Sequence, residues 1–348
     1  MSASARNMSP SQAASRLGVS TKALRLYERH GLIAPGRTRA GWRAYGPDEM
    51  ARAGEIVSLR TLGLSLAQIA QVLGGVPGDL DAALAAHEIR LQAQARQIAE
   101  SLDRVRRLRS GVVRGQAPAP GEIAGAIGAR ACLSIAIDLP WPWGGEWFEL
   151  RNIRPLTYLT GPLGSGKTRL AMRLAETLPD AIFLGLERLA DNAAMARKRL
   201  ERDAALRSRV ERTLAWLVDD GAQESDTLIA LLVALEAEAP TNLVIDMVEQ
   251  NLDQATQEAL AAHLRLRTHE ARRLVLLTRS SSILDLDAVG IDETIIYCPA
   301  NHGPPICVAP YPAAQGYESV ATCLASPEVR ARTSGIIALR PSDGAIAS

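Results

Sequence analysis

With 348 residues, 47% of them apolar, the chain is long enough for two or three buried cores, and four cysteines scattered at 132, 298, 307 and 323 exclude a disulfide framework. The formal net charge of +1 hides an asymmetry: residues 1–114 hold 17 Lys and Arg against 9 Asp and Glu, so the front is basic and the remainder acidic. A polyanion partner is therefore expected for the front part alone. No apolar run approaches a membrane span and nothing at the N-terminus resembles a signal peptide, so a cytoplasmic protein without membrane contact is expected.

Ser9-Pro10 predicts a helix opening, with a hydroxyl at the cap and proline at the first helical position, and Gly18 predicts its end near Leu17. Val19-Ser20 turns the chain and Ser20 caps a second helix that runs from Thr21 to His30 and stops at Gly31. Two short helices joined by a glycine-containing turn read as a helix-turn-helix. The second carries Lys22, Arg25 and Arg29, which suits a major groove, with Lys22 and Arg25 placed to reach base edges. Arg37, Arg39 and Arg43 cluster on a loop and suit phosphate contacts that position the protein without reading sequence.

The stretch LRLYE, the stretch GLIAP, the segment from Arg37 to Tyr45 and LRTLGLSLAQI together resemble the winged-helix DNA-binding domain of MerR-family transcription regulators, over roughly residues 8–75. Leu26 stands where an aromatic is common and Trp42 replaces the usual wing tyrosine. The candidate DNA-binding set is Ser20, Thr21, Lys22, Arg25 and Tyr27 of the helix-turn-helix, with Arg37, Arg39, Trp42, Arg43 and Tyr45 of the wing. The resemblance implies double-stranded promoter DNA and RNA polymerase as partners, with distortion of the promoter spacer as the mode of action.

From Asp79 no helix breaker occurs until Gly111, and Leu80, Leu84, His87, Leu91, Ile98, Leu102, Val105 and Leu108 form one apolar stripe. One helix cannot bury that stripe on itself. The MerR resemblance implies that residues 76–114 make the antiparallel coiled coil of a homodimer. Metal sensors of that family carry cysteines at the start of this helix, and residues 1–131 contain none. Residues 115–128, GQAPAPGEIAGAIG, read as a linker.

Residues 129–330 alternate apolar strand candidates with helical patterns, as a doubly wound α/β sheet requires. Strands are expected at Ala131 to Ile137, Trp147 to Leu150, Ala181 to Leu184, Leu243 to Ile245 and Leu274 to Leu277, with helix at 169–177 and throughout 187–218. Residues 331–348 read as a tail without pattern. The fold class expected for the chain is multidomain: a winged helix-turn-helix, a long coiled-coil helix and a C-terminal α/β phosphate-loop nucleotide-binding domain.

Leu156 to Leu170 reads LTYLTGPLGSGKTRL, in which Gly161, Gly166, Lys167 and Thr168 satisfy the spacing G-x-x-x-x-G-K-[ST]. In such a loop backbone N–H groups wrap nucleotide phosphates, the lysine meets the β- and γ-phosphates and the hydroxyl ligates Mg²⁺. The chain has only three lysines, so keeping one here favours a site that wants a compact ammonium. The candidate ATP-binding residues are Gly161, Pro162, Leu163, Gly164, Ser165, Gly166, Lys167, Thr168, Arg169 and Asp246, with Thr168 and Asp246 as the Mg²⁺ set. Asp246 enters because it ends an apolar strand.

DDGAQESDTLIALLVALEAEAPTNLVIDMVEQNLDQ further resembles the ABC-type ATPase heads, with Gly221 to Ser225 as a degenerate signature segment. The resemblance implies a water-polarising glutamate directly after the strand-ending aspartate, and that position is Met247. It also implies a histidine at the neighbouring strand tip, where Arg279 stands. A thioether cannot act as a base, so Glu249 is the candidate substitute and Arg279 a candidate γ-phosphate contact, and any hydrolysis is expected to be slow. Cys298, His302 and Cys307 in YCPANHGPPIC form a weaker candidate soft-ligand or redox loop against ordinary residues at strand ends. The reading that results is a nucleotide-responsive DNA-binding regulator. Its rivals are an active ATPase or small-molecule kinase with an accessory DNA-binding domain, and an architectural DNA-binding protein in which ATP only stabilises the fold.

Overall fold

The computed structural model describes residues 7–114 and 133–329, apart from 39, 77, 79, 191, 268–271 and 291. The linker at 115–128, the tail at 331–348, Cys132 and Arg39 lie outside the described residues.

Helix α1 (Pro10–Leu17) begins in a capping box, Ser9 accepting from the Gln12 N–H and Gln12 reaching back, and ends on Gly18 at φ 67°. Helix α2 (Thr21–Arg29) is capped by Ser20. A two-stranded wing, β1 (Gly36–Arg37) against β2 (Arg43–Ala44), follows. Helices α3 (Pro47–Thr61) and α4 (Leu66–Leu73) close the unit, with Ser65 making a second capping box for α4. Leu24, Tyr27, Ile33, Tyr45, Ile56, Leu66 and Ile69 form its core, and Leu80 and Ala83 of α5 (Leu80–Val113) pack onto it. Fully burying each large apolar side chain is worth about 1.5–3 kcal/mol, which is how so short a segment holds its helices in place.

Helix α5 runs for 34 residues, passing through Gly111 where the sequence predicts its end. A helical glycine costs only about 1 kcal/mol relative to alanine, too little to stop an established helix. Leu84, Ile89, Leu91, Leu102 and Val105 remain 42–64% exposed on the single chain.

The second unit centres on a six-stranded sheet of order β10-β9-β5-β8-β7-β6. Its strands are β5 (Leu156–Thr160), β6 (Ala181–Leu184), β7 (Asn242–Ile245), β8 (Arg273–Leu277), β9 (Glu293–Tyr297) and β10 (Ile306–Val308). All neighbours are parallel except the β9–β10 edge pair. Strands buried on both faces explain the near-continuous apolar runs. Alternate residues serve two cores. Leu156, Tyr158, Ile245 and Leu276 face helices α8 (Ala204–Asp219), α9 (Asp226–Glu236) and α10 (Gln254–Leu266). Leu159, Val244, Leu277 and Ile296 face helix α6 (Lys167–Thr177) and the hairpin of β3 (Ile135–Asp138) and β4 (Trp147–Leu150).

The helix expected throughout 187–218 is broken. A 3-10 turn (Leu186–Leu189) precedes α7 (Ala194–Arg202), and Asp203 ends α7 and caps α8 by accepting from the Leu206 N–H. An aspartate that finds a backbone donor three residues on favours a new helix start over continuation. Beyond β10 follows helix α11 (Tyr317–Cys323), and residues 327–329 are helical again.

Candidate nucleotide site and DNA-facing surface

Strand β5 lies between β9 and β8, and its C-terminal tip delivers the chain into Gly161. Gly161 adopts φ 148°, and a Cβ there would collide with the Cys298 carbonyl. Gly166 sits at φ 87°, where a Cβ would come 2.6 Å from the Trp143 ring. The glycines are therefore fixed by the approach of the neighbouring backbone and indole as well as by φ. Helix α6 starts immediately after Gly166 with no side-chain cap, which leaves its first N–H groups facing the loop.

Lys167 folds back over the loop, its Nζ donating to the Pro162 carbonyl at 2.6 Å and to Ser165 Oγ at 3.3 Å. Burial pushes its pKa down, and Arg279 adds repulsion. Thr168 Oγ1 donates to Asp246 Oδ2 at 3.1 Å, bringing the two candidate Mg²⁺ ligands together from 78 residues apart. Burial raises the Asp246 carboxyl, opposed by the Thr168 hydrogen bond and by Arg188 and Lys167. A buried cation and a buried anion, each destabilised by desolvation, are the electrostatic complement of a phosphate with its divalent metal. The residues present fit Mg²⁺ and a nucleoside triphosphate. Leu163 is 86% exposed at the crest of the loop, and Pro162 and Gly164 complete the turn.

Strand β8 separates β5 from β7, so its tip, carrying Arg279, lies between the phosphate loop and Asp246. Arg279 Nε is buried with no hydrogen-bond partner among the described residues. The candidate base Glu249 is 3% exposed and accepts the Arg279 backbone N–H at 3.0 Å through Oε1. That hydrogen bond ties the carboxylate to the strand tip. Met247 stands beside it in the left-handed region at φ 44°, its carbonyl accepting from Arg188 Nη2 at 2.8 Å.

Three residues of this site carry no sequence signal. Arg188, on the 3-10 turn after β6, faces Asp246 and Glu249. Gln257 is buried on α10 and accepts from Ser280 Oγ at 2.5 Å. Trp141 is 71% exposed on the β3–β4 turn, its indole under the Arg169 guanidinium at 5.1 Å. A Walker-type spacing can be read along the chain; these side chains meet it only through the sheet.

Cys298 is fully buried against the phosphate loop with its thiol pushed up to about 12 by burial, while Cys307 is exposed on edge strand β10. Among the described residues no group of three or more His, Cys, Asp or Glu could hold a metal ion. The soft-ligand reading of Cys298, His302 and Cys307 is therefore set aside, because the register places Cys307 opposite Ile296 and Cys298 turns inward.

On the DNA-facing unit, Arg25 and Trp42 are exposed, Trp42 at 74%. Arg43 Nε pairs with Glu28 Oε2 at 2.5 Å and Arg37 approaches the same carboxylate at 3.8 Å, so Glu28 orients the wing on α2. Tyr27 and Tyr45 are core residues at 5% and 1% exposure, and Ser20 uses its hydroxyl as the α2 cap. These three, expected on the DNA face, are buried: helical periodicity puts Tyr27 on the face shared with Leu24, toward the core. Thr21 is half-buried at the start of α2. Lys22 and Arg29 are engaged by the α/β unit, Lys22 Nζ donating to the Ser281 carbonyl at 2.6 Å and Arg29 pairing with Glu258 at 2.7 Å. A second junction joins Arg60 to Asp220 at 2.7 Å, Ser65 to Asp219 at 3.2 Å and the Trp216 indole N–H to the Gly63 carbonyl at 2.9 Å.

Together these features define a helix-turn-helix DNA-binding unit joined to an α/β phosphate-loop domain. Residues 8–75 match the family described as MerR HTH family regulatory protein, and the N-terminal part of the chain is a MerR-type helix-turn-helix domain. A probable heavy metal-dependent transcriptional regulator from Haemophilus influenzae is 46% identical over 67 residues, 19% of this chain and 52% of that protein. The chain thus spans about half the length of that curated relative. A solved MerR family regulator lacking the sensor domain, bound to promoter DNA, aligns with 31% of this chain and 88% of its own, at 22% identity and TM-score 0.22. The α/β part aligns with an ATP-binding cassette of an ABC transporter in its ADP conformation, at 12% identity over 59% of this chain and 99% of that chain, TM-score 0.37. A putative metal-chelate type ABC transporter aligns at 14% identity over 51% and 84%, TM-score 0.35. With these scores the fold rests on the sheet order and helices described above. Among the described residues no helix is long and apolar enough to cross a membrane.

Proposed function

We propose that this chain is a DNA-binding transcription regulator of MerR type in which the phosphate-loop domain binds Mg²⁺-ATP and its nucleotide state modulates promoter binding or distortion. The observation that carries this reading is the meeting of the phosphate loop, Thr168 and Asp246 at the carboxyl ends of β5 and β7, in a chain whose residues 8–75 match a MerR-type domain. Bound Mg²⁺-ATP would supply a compact, highly charged γ-phosphate. The chain's own residues would do the sensing: the loop N–H groups and Lys167 would hold the phosphates, Thr168 and Asp246 would hold the metal, and Arg279 would be a γ-phosphate contact, with Arg188 beside Asp246. Trp141 offers an exposed indole beside the loop on which a nucleobase can stack.

The domain plan we assign is 8–75 for DNA binding, 76–114 for dimerisation, 115–128 as linker, 129–330 for nucleotide and 331–348 as tail. The half-exposed leucines and valines of α5, a helix about 50 Å long at 1.5 Å per residue, support a homodimer through this helix. Promoter DNA, RNA polymerase and a second copy of the chain are its partners on this reading, and the cytoplasm its place of action.

Lys167→Ala is expected to lower ATP affinity at least tenfold, about 1.4 kcal/mol, by removing the ammonium that meets the β- and γ-phosphates. Calorimetry with Mg²⁺-ATP reads it, and undiminished binding would remove the phosphate-loop assignment. The regulatory part is tested by titrating a selected duplex with and without ATP. Wild type should respond to ATP and Lys167→Ala should not.

Arg43→Ala is expected to weaken binding to every duplex and to flatten the salt dependence by about one unit, since its role is on phosphates. Arg25→Ala should also relax sequence preference, costing about 1–3 kcal/mol on the selected duplex. Wild-type binding by both variants would mean that DNA lies on another face.

A further inference from the structure

Helix α2 turns two of its three cations toward the α/β unit. Lys22 and Arg29 are seven residues apart and so share a face. Lys22 Nζ donates to the Ser281 carbonyl and lies 3.7 Å from Asp285, while Arg29 Nη2 lies 2.7 Å from Glu258 Oε2. Glu258 is held in place by Gln254 Nε2, which donates to its other oxygen at 2.8 Å. A carbonyl and two carboxylates thus meet the cations that a helix in a major groove would turn to phosphates and base edges. Arg25 on the same helix remains exposed.

We infer that this face of the α/β unit, built from Glu258, Asp285 and the Ser281 carbonyl, is an interaction surface for the recognition helix that competes with DNA for Lys22 and Arg29. Both partners cannot be engaged at once, because the α/β unit occupies the space beside the face of α2 that carries Lys22 and Arg29, where a duplex would have to lie. Between these polar anchors lies a cleft of about 450 Å³, lined by Leu26, Val57, His87, Leu91, Ala261 and Leu266 among others, so around α2 little close packing is lost when the helix leaves, and the unit then pivots about the second junction at Arg60 and Asp220.

The surface is also wired to the candidate nucleotide site. Ser281, which holds Lys22, is two residues beyond Arg279, whose N–H is held by Glu249. Ser280 Oγ donates to Gln257, the neighbour of Glu258, and accepts from the Ser282 N–H at 3.1 Å. Ser280 and Gln257 are 0% and 3% exposed, so a displacement of Arg279 has no solvent-filled gap in which to dissipate before it reaches Ser281 and Glu258. The part of the inference that has nucleotide loosen this surface rests on the nucleotide-regulated reading above, with ATP favouring the released helix.

The test uses the full chain and a duplex that it selects from a random pool, titrated with and without Mg²⁺-ATP. The Glu258→Gln/Asp285→Asn double variant should bind that duplex at least tenfold more tightly than wild type in the absence of nucleotide. Glu258→Gln alone, a single isosteric change, should shift affinity in the same direction and guards against misfolding of the double variant. A Glu176→Gln/Glu238→Gln control removes the same charge from exposed positions elsewhere on the unit. Wild-type affinity in both test variants overturns the inference, and so does an equal gain in the control, which would make the effect one of net charge. If the gain is specific and wild type ignores ATP, the competing surface stands and the nucleotide-regulated reading falls.

Discussion

Met247→Glu should speed ATP hydrolysis by roughly a hundred- to ten-thousandfold, the range general-base assistance contributes. Wild type should turn over well below the ~10 per second typical of enzymes. Met247 directly follows Asp246 at the tip of β7, next to the candidate metal-binding pair, and its thioether cannot take a proton. Glu249, the other carboxylate in reach, is buried and committed through Oε1 to the Arg279 backbone. The left-handed φ of 44° at 247 strains glutamate no more than methionine, so the substitution tests chemistry with little backbone cost. Phosphate release under single-turnover conditions reads the rate. A wild-type rate in the ordinary enzyme range that Glu249→Gln abolishes would assign the base to Glu249 and favour the ATPase rival over a slow switch.

Arg60→Met should weaken the junction between α3–α4 and the C-terminal end of α8 by about 3–5 kcal/mol, the usual consequence of leaving one partner of a buried ion pair alone. Asp220 is 2% exposed, accepts the Leu66 N–H at 2.7 Å and pairs with Arg60, whose guanidinium also lies over the Trp216 ring at 4.8 Å. Burial already raises the Asp220 carboxyl above the usual aspartate value, with Arg60 opposing the rise. Removing Arg60 raises it further. A carboxyl whose folded pKa lies above its unfolded one is comfortable when protonated, and ionising it as pH rises costs stability in the folded state. The penalty of Arg60→Met should accordingly be small in mild acid and full at alkaline pH. Hydrogen-exchange protection at the α3–α4 turn, compared at pH 5 and pH 8, measures it. A loss of protection independent of pH would mean that Arg60 acts by packing on Trp216 and not by neutralising Asp220.

On the proposed reading, the first effect asks whether bound nucleotide would be spent quickly or held while the helix-turn-helix engages DNA, and the second how firmly the two units are docked. A slow site suits a regulator, since a long-lived bound state allows the recognition helix to stay released for as long as a promoter is occupied. Coupling of this kind needs nucleotide to prefer one arrangement, and a ligand that bound both equally would shift neither.

What the amino-acid order determined by itself was whatever depends on near neighbours. The capping of α1 and α2 by Ser9 and Ser20, the stop at Gly18 and the loop from Gly161 to Thr168 are local arrangements of hydroxyls, glycines and one lysine, and their spacing along the chain is their geometry. Apolar runs ending in Asp246 and Thr278 marked parallel strands for the same reason. Tertiary structure decided everything that two distant segments settle between them. Tyr27 and Tyr45 look like DNA-facing aromatics until the helices close over them, because a tyrosine's ring and hydroxyl serve a core or a groove equally well. Arg188 reaches the Met247 carbonyl because β6 lies beside β7, and Gln257 reaches Ser280 because β8 lies on the other side of β7. Lys22 and Arg29 read as free cations on a helix, and their engagement by Ser281 and Glu258, 259 and 229 residues away, depends on how the two units dock. A side chain's chemistry is written in the sequence; which partner satisfies it is fixed by burial and distance, and those exist only once the chain has folded.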